Sequence, residues 1–152
     1  RYVPAADAIW EPPLTAPAQE LICHSDLAPW NLMLGDRWVF IDWDGASPST
    51  RSWDLAFSAQ TFALPDPTRD PQRSAEDLAA FVDGYGADEE LRAVLPDMMR
   101  RRTQAMLDLL RSSAEVGREP WGTMYRTGHG AHWAAVLDYV TAHRGVWQRA
   151  LG

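Results

Sequence analysis

The hydrophobic pattern divides the chain into a short strand-like region and a long helical one. From Ser52, a residue suited to cap a helix, apolar side chains recur three and four positions apart until Pro65. The same spacing predicts further helices over residues 74–84, 88–115 and 120–151. We expect Pro96 to break its helix or to start a new one, and Gly128 and Gly130 to interrupt the last helix.

Strand-like segments precede this helical region. Residues 21–23 form one apolar run, and residues 31–34 and 37–41 flank Gly35-Asp36, a typical two-residue hairpin turn. Together with the helices that follow, they predict one domain over residues 1–152 with an α+β fold rich in helix.

The predicted hairpin brings two polar side chains together. With a two-residue turn, Asn31 lies opposite Phe40, and Asp42 points to the same face as Phe40 because side chains alternate along a strand. The remaining hairpin positions are mostly apolar on both faces, so we expect both faces to be buried. Asn31 and Asp42 would then converge at the open end of the hairpin.

Composition and charge limit the classes of protein to which this chain can belong. With 152 residues, 46% of them hydrophobic and 23% charged, the chain is typical of a globular domain, and it contains no apolar run that could cross a membrane. The net charge of −7 disfavours nucleic-acid binding. The single cysteine, Cys23, excludes an internal disulfide and favours a reducing compartment, which predicts a cytoplasmic protein. All 14 basic residues are arginines, and the sequence contains no lysine.

Polar residues that bind metals or move protons are concentrated between residues 24 and 44. Asn31 and Asp42 offer two hard oxygen ligands, which suit Mg²⁺ because this ion takes one or two protein oxygens and completes its shell with water and phosphate. Asp26 lies in the loop before the hairpin, where a general base could reach the same place. As turn or cap residues, the same three side chains would have no chemical role.

Two other polar clusters have structural interpretations. Cys23 and His24 lack the ligand count of a zinc site, and we expect Cys23 to face the core. The run of Arg100, Arg101 and Arg102 predicts a solvated helix face that pairs with nearby acids.

Three motifs resemble those of kinase-like phosphotransferases, in the form found in aminoglycoside phosphotransferases. The first is HSDLxxxN from His24 to Asn31, which is similar to the catalytic loop of that family. The second is IDWD at 41–44, which is similar to the metal-binding segment that follows the loop. The third is WDLA at 53–56, which is similar to the start of the next helix. The motifs occur in the order and at the spacing of the family.

The resemblance implies a role for each of these residues. Asp26 would orient and deprotonate a substrate hydroxyl that attacks the γ-phosphate of ATP or GTP. Asn31 and Asp42 would bind the Mg²⁺ ions that bridge the phosphates. His24 would brace the loop, and Asp54 would accept hydrogen bonds from the loop backbone or from His24.

The resemblance also implies a part that this sequence lacks. Kinase-like enzymes hold the nucleotide with a β-rich N-terminal lobe that carries a glycine-rich loop and a lysine. Only twenty residues precede Leu21, and the chain begins with Arg1 rather than methionine. We therefore expect the chain to be the C-terminal lobe of a longer enzyme, inactive on its own and with poor affinity for ATP–Mg²⁺.

These expectations define one function and one alternative. The function is transfer of the γ-phosphate of ATP or GTP to a hydroxyl of an aminoglycoside-like or other amine-bearing compound, recognised by acidic residues after Asp66. The partners would be the nucleotide, this substrate and the N-terminal lobe, with no nucleic acid and no membrane. The alternative is a non-catalytic, truncated kinase-like module that acts as a binding or immunity-type protein. The presence of Asp26, Asn31 and Asp42 together favours the enzyme.

Overall fold

Helices dominate the fold. The computed structural model describes residues 4, 5 and 7–152. In this part of the chain the helices are α1 (Arg51–Ala63), α2 (Pro71–Tyr85), α3 (Glu89–Val116), α4 (Trp121–Met124), α5 (Gly130–Ala142) and α6 (Arg144–Leu151). A π-helical turn, Tyr125–His129, joins α4 to α5 and contains the predicted interruption at Gly128, whose φ of +116° suits glycine.

Four short strands form two antiparallel pairs before the helices. β1 (Leu21–Cys23) pairs with β4 (Ser47–Ser49), and β2 (Leu32–Met33) pairs with β3 (Val39–Phe40). A 3₁₀ turn, Pro29–Asn31, leads into β2. Strands and helices are thus segregated along the chain, and the predicted helix-rich α+β class is confirmed.

The helix starts follow their capping residues. α1 begins slightly before the predicted start because Thr50, and not Ser52, caps it by accepting a backbone N–H of the first turn. α2 begins before residue 74, since Asp70 caps it and Pro71 takes its first position. Asp88 caps α3 as predicted.

The predicted break at Pro96 is wrong. This proline lies inside α3, a continuous helix of 28 residues. Proline lacks an N–H and its ring crowds the preceding turn, but packing along the helix outweighs that local cost. α3 is therefore long enough to pack against α1, α4, α5 and α6.

The core lies between the helices. α3 packs along α1 and α5, and α2 packs against α6 and α1. The largest fully buried side chains of the core include Phe57, Leu78, Leu95, Leu110 and Trp147. Burial of one such side chain stabilises the folded state by about 1.5–3 kcal/mol. Because α1 packs against both α3 and α2, buried contacts hold it from two sides. None of the helices in the described residues combines the length and hydropathy needed to cross a lipid bilayer.

The β2–β3 hairpin has a different register from the predicted one. Its strands pair so that five residues, 34–38, form the loop instead of two. Asn31 therefore stands opposite Ile41 rather than Phe40, and the Ile41 N–H donates to the Asn31 carbonyl over 3.0 Å. A shift of one residue reverses the faces of a strand, so the argument that placed Asn31 and Asp42 on one face is wrong.

The hairpin is also more exposed than predicted. Met33, Trp38 and Val39 each keep about half or more of their surface in water. Leu32 and Phe40 are only partly covered. The expectation of two buried faces is therefore wrong, because apolar side chains on both faces do not ensure that neighbouring elements cover them.

Candidate functional site

The candidate site is built from two segments that meet next to α1. The first is the loop between β1 and β2, residues 24–31, which we call the Asp26 loop. The second is the segment after β3, residues 41–44. The antiparallel pairing of β1 with β4 fixes the start of the Asp26 loop, and α1 follows directly after β4. The β1–β4 pair thus brings the Asp26 loop to the first turn of α1, and the second segment is joined to that loop.

His24 joins the two segments. Its Nε2 lies 2.9 Å from the carbonyl oxygen of Ile41, and its Nδ1 lies 3.3 Å from the backbone nitrogen of Asp26. Because a carbonyl only accepts and an amide N–H donates, the imidazole hydrogen belongs on Nε2. The ring is buried and tilted against Trp43, with 4.4 Å between the ring centroids. His24 therefore ties the residue before Asp42 to the backbone of Asp26.

Asp54 contacts the Asp26 loop from the first turn of α1. Its Oδ1 accepts the backbone N–H of Ser25 over 2.8 Å. Ser25 has a φ of +70°, in the left-handed region that residues with a Cβ rarely adopt. Burial raises the pKa of the Asp54 carboxyl above its usual value, whereas the bond from Ser25 and the nearby His24 and Arg102 oppose that rise.

Asp26 and Asn31 form a direct pair. The Asn31 amide nitrogen donates to Asp26 Oδ2 over 2.7 Å and to the Asp26 carbonyl over 2.9 Å. Because both partners are acceptors, the amide oxygen of Asn31 points elsewhere, and no hydrogen bond among the described residues uses it. Burial raises the pKa of the Asp26 carboxyl above its usual value, against the opposing effects of the Asn31 bond and the Arg102 charge. A raised pKa suits a group that must accept a proton.

Asp42 lies just after β3, where the chain leaves its extended conformation with a φ of +64°. Asp44 raises the pKa of the Asp42 carboxyl, because its carboxylate can accept a hydrogen bond from protonated Asp42 and repels the ionised form. The charge of Asp26 adds to this effect. Asp42 is therefore flanked by two like charges, and the left-handed turn rather than strand alternation brings it near Asp26.

The oxygen atoms of Asn31 and Asp42 are of the kind that binds a divalent cation. Asn31 offers an amide oxygen that no hydrogen bond among the described residues uses. Asp42 offers a carboxylate whose repulsion from Asp26 and Asp44 a cation would offset. Within the described residues, no three His, Cys, Asp or Glu side chains group into a site that could hold a metal ion. Mg²⁺ does not need such a group, because water and phosphate oxygens complete its shell.

Arg102 belongs to the site although its sequence context predicted a solvated helix face. Arg100 and Arg101 are exposed, but Arg102 is buried, so the prediction is wrong for this residue. Its Nη2 donates to the carbonyl of Ser25 over 3.1 Å. The signal that could have revealed it is its position on the buried stripe of α3, one turn after Met99.

An apolar groove of about 700 Å³ lies beside the Asp26 loop. Side chains of β1, the hairpin, α1 and α2 line it, and His24 and Asp54 are among its few polar lining residues. Asp26, Asn31 and Asp42 do not line it. The groove is therefore not the place where a substrate would meet the Asp26 carboxylate.

The whole polar cluster from His24 to Asp54 lies in a stretch that matches a known family. Residues 3–96, more than half of the chain, match the phosphotransferase enzyme family. The chain belongs to that family. Comparisons of this phosphotransferase-family protein with curated proteins and with solved structures gave no match. The family match stops within α3, so the prediction that all 152 residues form one lobe of such an enzyme stays a prediction.

Proposed function

We propose that this chain is the catalytic C-terminal lobe of a kinase-like phosphotransferase. It would transfer the γ-phosphate of ATP or GTP to a hydroxyl of a small molecule. The observation that carries the proposal is the Asp26–Asn31 pair, in which an amide holds a carboxylate of raised pKa beside a second carboxylate, Asp42. Membership of the phosphotransferase family supports phosphate transfer as the class of reaction.

In the proposed reaction, Asp26 orients the substrate hydroxyl and accepts its proton. The bond from Asn31 occupies Oδ2. The other carboxylate oxygen, Oδ1, would face the hydroxyl. As the hydroxyl oxygen bonds to the γ-phosphorus, the bond from that phosphorus to the bridging oxygen breaks, and the nucleoside diphosphate leaves. The Asn31 bond fixes the direction of the carboxylate, and such alignment contributes strongly to the rate.

The amide oxygen of Asn31 and the carboxylate of Asp42 would hold Mg²⁺. When bound, the ion neutralises charge on the phosphate oxygens during transfer. Asn31 would then act in two ways, because its nitrogen holds Asp26 and its oxygen would be a ligand of the ion. Loss of the Asn31 side chain would disturb both the base and the metal.

The proposed substrate is a small-molecule alcohol. An amine on that substrate is supported only by the net charge of −7. Many acidic side chains after residue 65, where an amine was expected to bind, have partners of their own in caps and ion pairs: Asp66, Asp70, Asp77, Asp83, Asp88 and Asp97. The hydroxyl is therefore the one substrate feature that the chemistry of the site requires.

Substitution of Asp26 tests the proposal in the complete product of the gene. We expect Asp26→Asn to lower kcat for phosphate transfer by about 10²–10⁴-fold, because the general base is lost. Asn31→Ala and Asp42→Ala should raise the Mg²⁺ concentration needed for half-maximal rate. Transfer from γ-labelled ATP or GTP to a panel of small alcohols, with and without an amine, measures these effects.

Asp36→Asn is the matched control, because this exposed carboxylate lies in the hairpin loop. It should leave kcat unchanged. Binding of Mg²⁺–nucleotide without transfer to any alcohol would favour the alternative, a non-catalytic binding module. Transfer that continues at full rate in Asp26→Asn would show that Asp26 is not the base.

A further inference from the structure

Arg102 carries a buried charge that packing alone does not explain. Its side chain is 4% exposed and takes part in none of the ion pairs found among the described residues. Within the described part of the chain, the guanidinium makes one hydrogen bond, from Nη2 to the Ser25 carbonyl, and Nε and Nη1 have no partner there. Burial lowers the pKa of Arg102 to about 10, against the opposing charges of Asp26 and Asp54. A buried guanidinium with unused donors costs stability, and an apolar side chain would serve packing better.

The hydrogen bond from Arg102 completes a clamp around Ser25. Asp54 accepts the N–H of Ser25 over 2.8 Å, and Arg102 donates to its carbonyl over 3.1 Å. Asp54 lies on α1 and Arg102 lies on α3, two helices that pack along each other. Both peptide groups of Ser25 are therefore tied to the helical core.

Ser25 needs this support because of its backbone conformation. Its φ of +70° is disfavoured for a residue with a Cβ and persists only where the surroundings impose it. The carbonyl that Arg102 holds belongs to the peptide group that leads into Asp26. The orientation of this peptide group sets the direction in which the Asp26 side chain leaves the backbone.

We propose that Arg102 is a positioning residue that acts through Ser25 to aim the Asp26 carboxylate at the substrate hydroxyl. The rings of Trp53 and Phe57 hold the guanidinium in place, with centroids 5.4 and 4.6 Å from its Cζ. The effect on catalysis rests on the proposed phosphate transfer, whereas the effect on the Ser25 backbone does not. The family match ends before α3 reaches Arg102, so membership of the family assigns this residue no role.

Three substitutions on α3 separate positioning from packing. Arg102→Met keeps apolar volume without donors, Arg102→Lys keeps the charge and one donor group, and Arg101→Met changes an exposed neighbour. In the complete gene product, we expect Arg102→Met to keep its Tm while kcat falls about 10²-fold, because a displaced base loses its alignment with the substrate. KM should change by less than about threefold. Arg102→Lys should recover part of kcat, and Arg101→Met should behave like the unsubstituted protein.

The backbone of Ser25 provides a measurement that needs no reaction. We expect its N–H to exchange with solvent at least about tenfold faster in Arg102→Met than in Arg101→Met, as followed by NMR. Ser25→Gly combined with Arg102→Met should regain part of the lost kcat, because glycine adopts the left-handed conformation without a Cβ penalty.

Measuring both kcat and hydrogen exchange at Ser25 distinguishes a failure of the proposed function from a failure of the proposed role of Arg102. If the unsubstituted protein transfers no phosphate, the proposed function is wrong, and hydrogen exchange at Ser25 still decides whether Arg102 holds the loop. Unchanged exchange at Ser25 in Arg102→Met would overturn the clamp. An unchanged kcat, or a loss of kcat only in proportion to the folded fraction, would overturn the positioning role.

Discussion

Cys23 lies directly before the Asp26 loop, and its thiol is buried. Burial and the charge of Asp54 raise the pKa of the Cys23 thiol to about 11, and the side chain is 5% exposed. Because the thiolate is the reactive form, we expect iodoacetamide at pH 8 to alkylate the folded chain on the order of 10²-fold more slowly than the unfolded chain. Cys23 is the only cysteine, so mass spectrometry of the intact protein gives the rate directly.

The same shift has a consequence for stability. A thiol whose pKa is higher in the folded state stabilises the fold fully below its unfolded pKa, and this contribution is lost as pH rises through the folded pKa. The free energy of unfolding should therefore decline from about pH 8.5 upward, and Cys23→Ala should remove part of this decline. Equal alkylation rates for the folded and unfolded chains at pH 8 would contradict a buried, protonated thiol.

The site residues differ in how well the sequence could predict them. His24, Asp26 and Asn31 lie within one short loop, so their spacing alone placed them together. Arg102 lies 77 positions from Ser25 along the chain, and its two arginine neighbours are exposed. Its partner becomes evident only when α3 packs against α1, which local sequence does not describe.

Two glycines test how closely the helices of this fold approach their neighbours. A Cβ on Gly130, at the start of α5, would lie 2.5 Å from a ring atom of Tyr125 and 3.0 Å from its carbonyl oxygen. We expect Gly130→Ala to lower the free energy of unfolding by about 1–3 kcal/mol, because the ring or the turn must shift. Urea denaturation followed by circular dichroism measures the change.

Gly84 in α2 is the matched control for Gly130. A Cβ there would meet no atom within 4 Å. Gly84→Ala should raise the free energy of unfolding by about 0.5–1 kcal/mol, since alanine loses less backbone entropy in a helix. A shift in the same direction for both substitutions would contradict the close contact between Gly130 and Tyr125.

The starts of the helices could be predicted from the sequence, whereas the register of the hairpin could not. Thr50, Asp70 and Asp88 cap α1, α2 and α3 through bonds within one turn, so the helix starts were predictable to within a few residues. The hairpin register depends on the loop, and Gly35-Asp36 proved to lie inside a five-residue loop. The two strands are also shorter than the predicted 31–34 and 37–41, so that Asn31 lies in a 3₁₀ turn and Asp42 lies beyond β3. Because one residue of slip reverses a strand, a hairpin predicted in the right part of the chain still produced a wrong face for Asp42.

For the whole molecule, the fold class was predictable and the distribution of exposed surface was not. Strand-like runs followed by helical spacing indicated an α+β domain, because the two periodicities are properties of the chain itself. Apolar periodicity shows which face avoids water but not whether another element covers that face. The exposed hairpin is the clearest case, and its sequence alone predicted a buried one.

Several exposed apolar residues lie in the hairpin and in the segments next to it, and we call them together the hairpin patch. Their exposed fractions range from 42% to 73%. They are Trp30, Met33, Leu34, Trp38, Val39, Ile41 and Trp43. Apolar surface of this extent is unusual on a soluble monomer, so we expect the 152-residue chain to bind the dye ANS in its folded state.

Substitutions inside and outside the hairpin patch locate the origin of the dye signal. Leu34→Ser with Trp38→Ser should lower ANS fluorescence at least about twofold, because the two side chains supply much of the exposed apolar area. Val116→Ser is the control, since Val116 is 77% exposed at the end of α3 and lies outside the patch. A signal that falls only in proportion to lost folding, or that responds equally to Val116→Ser, would show that ANS binds elsewhere. A fall confined to the hairpin variant would instead show that the apolar surface of this fold is concentrated beside the Asp26 loop.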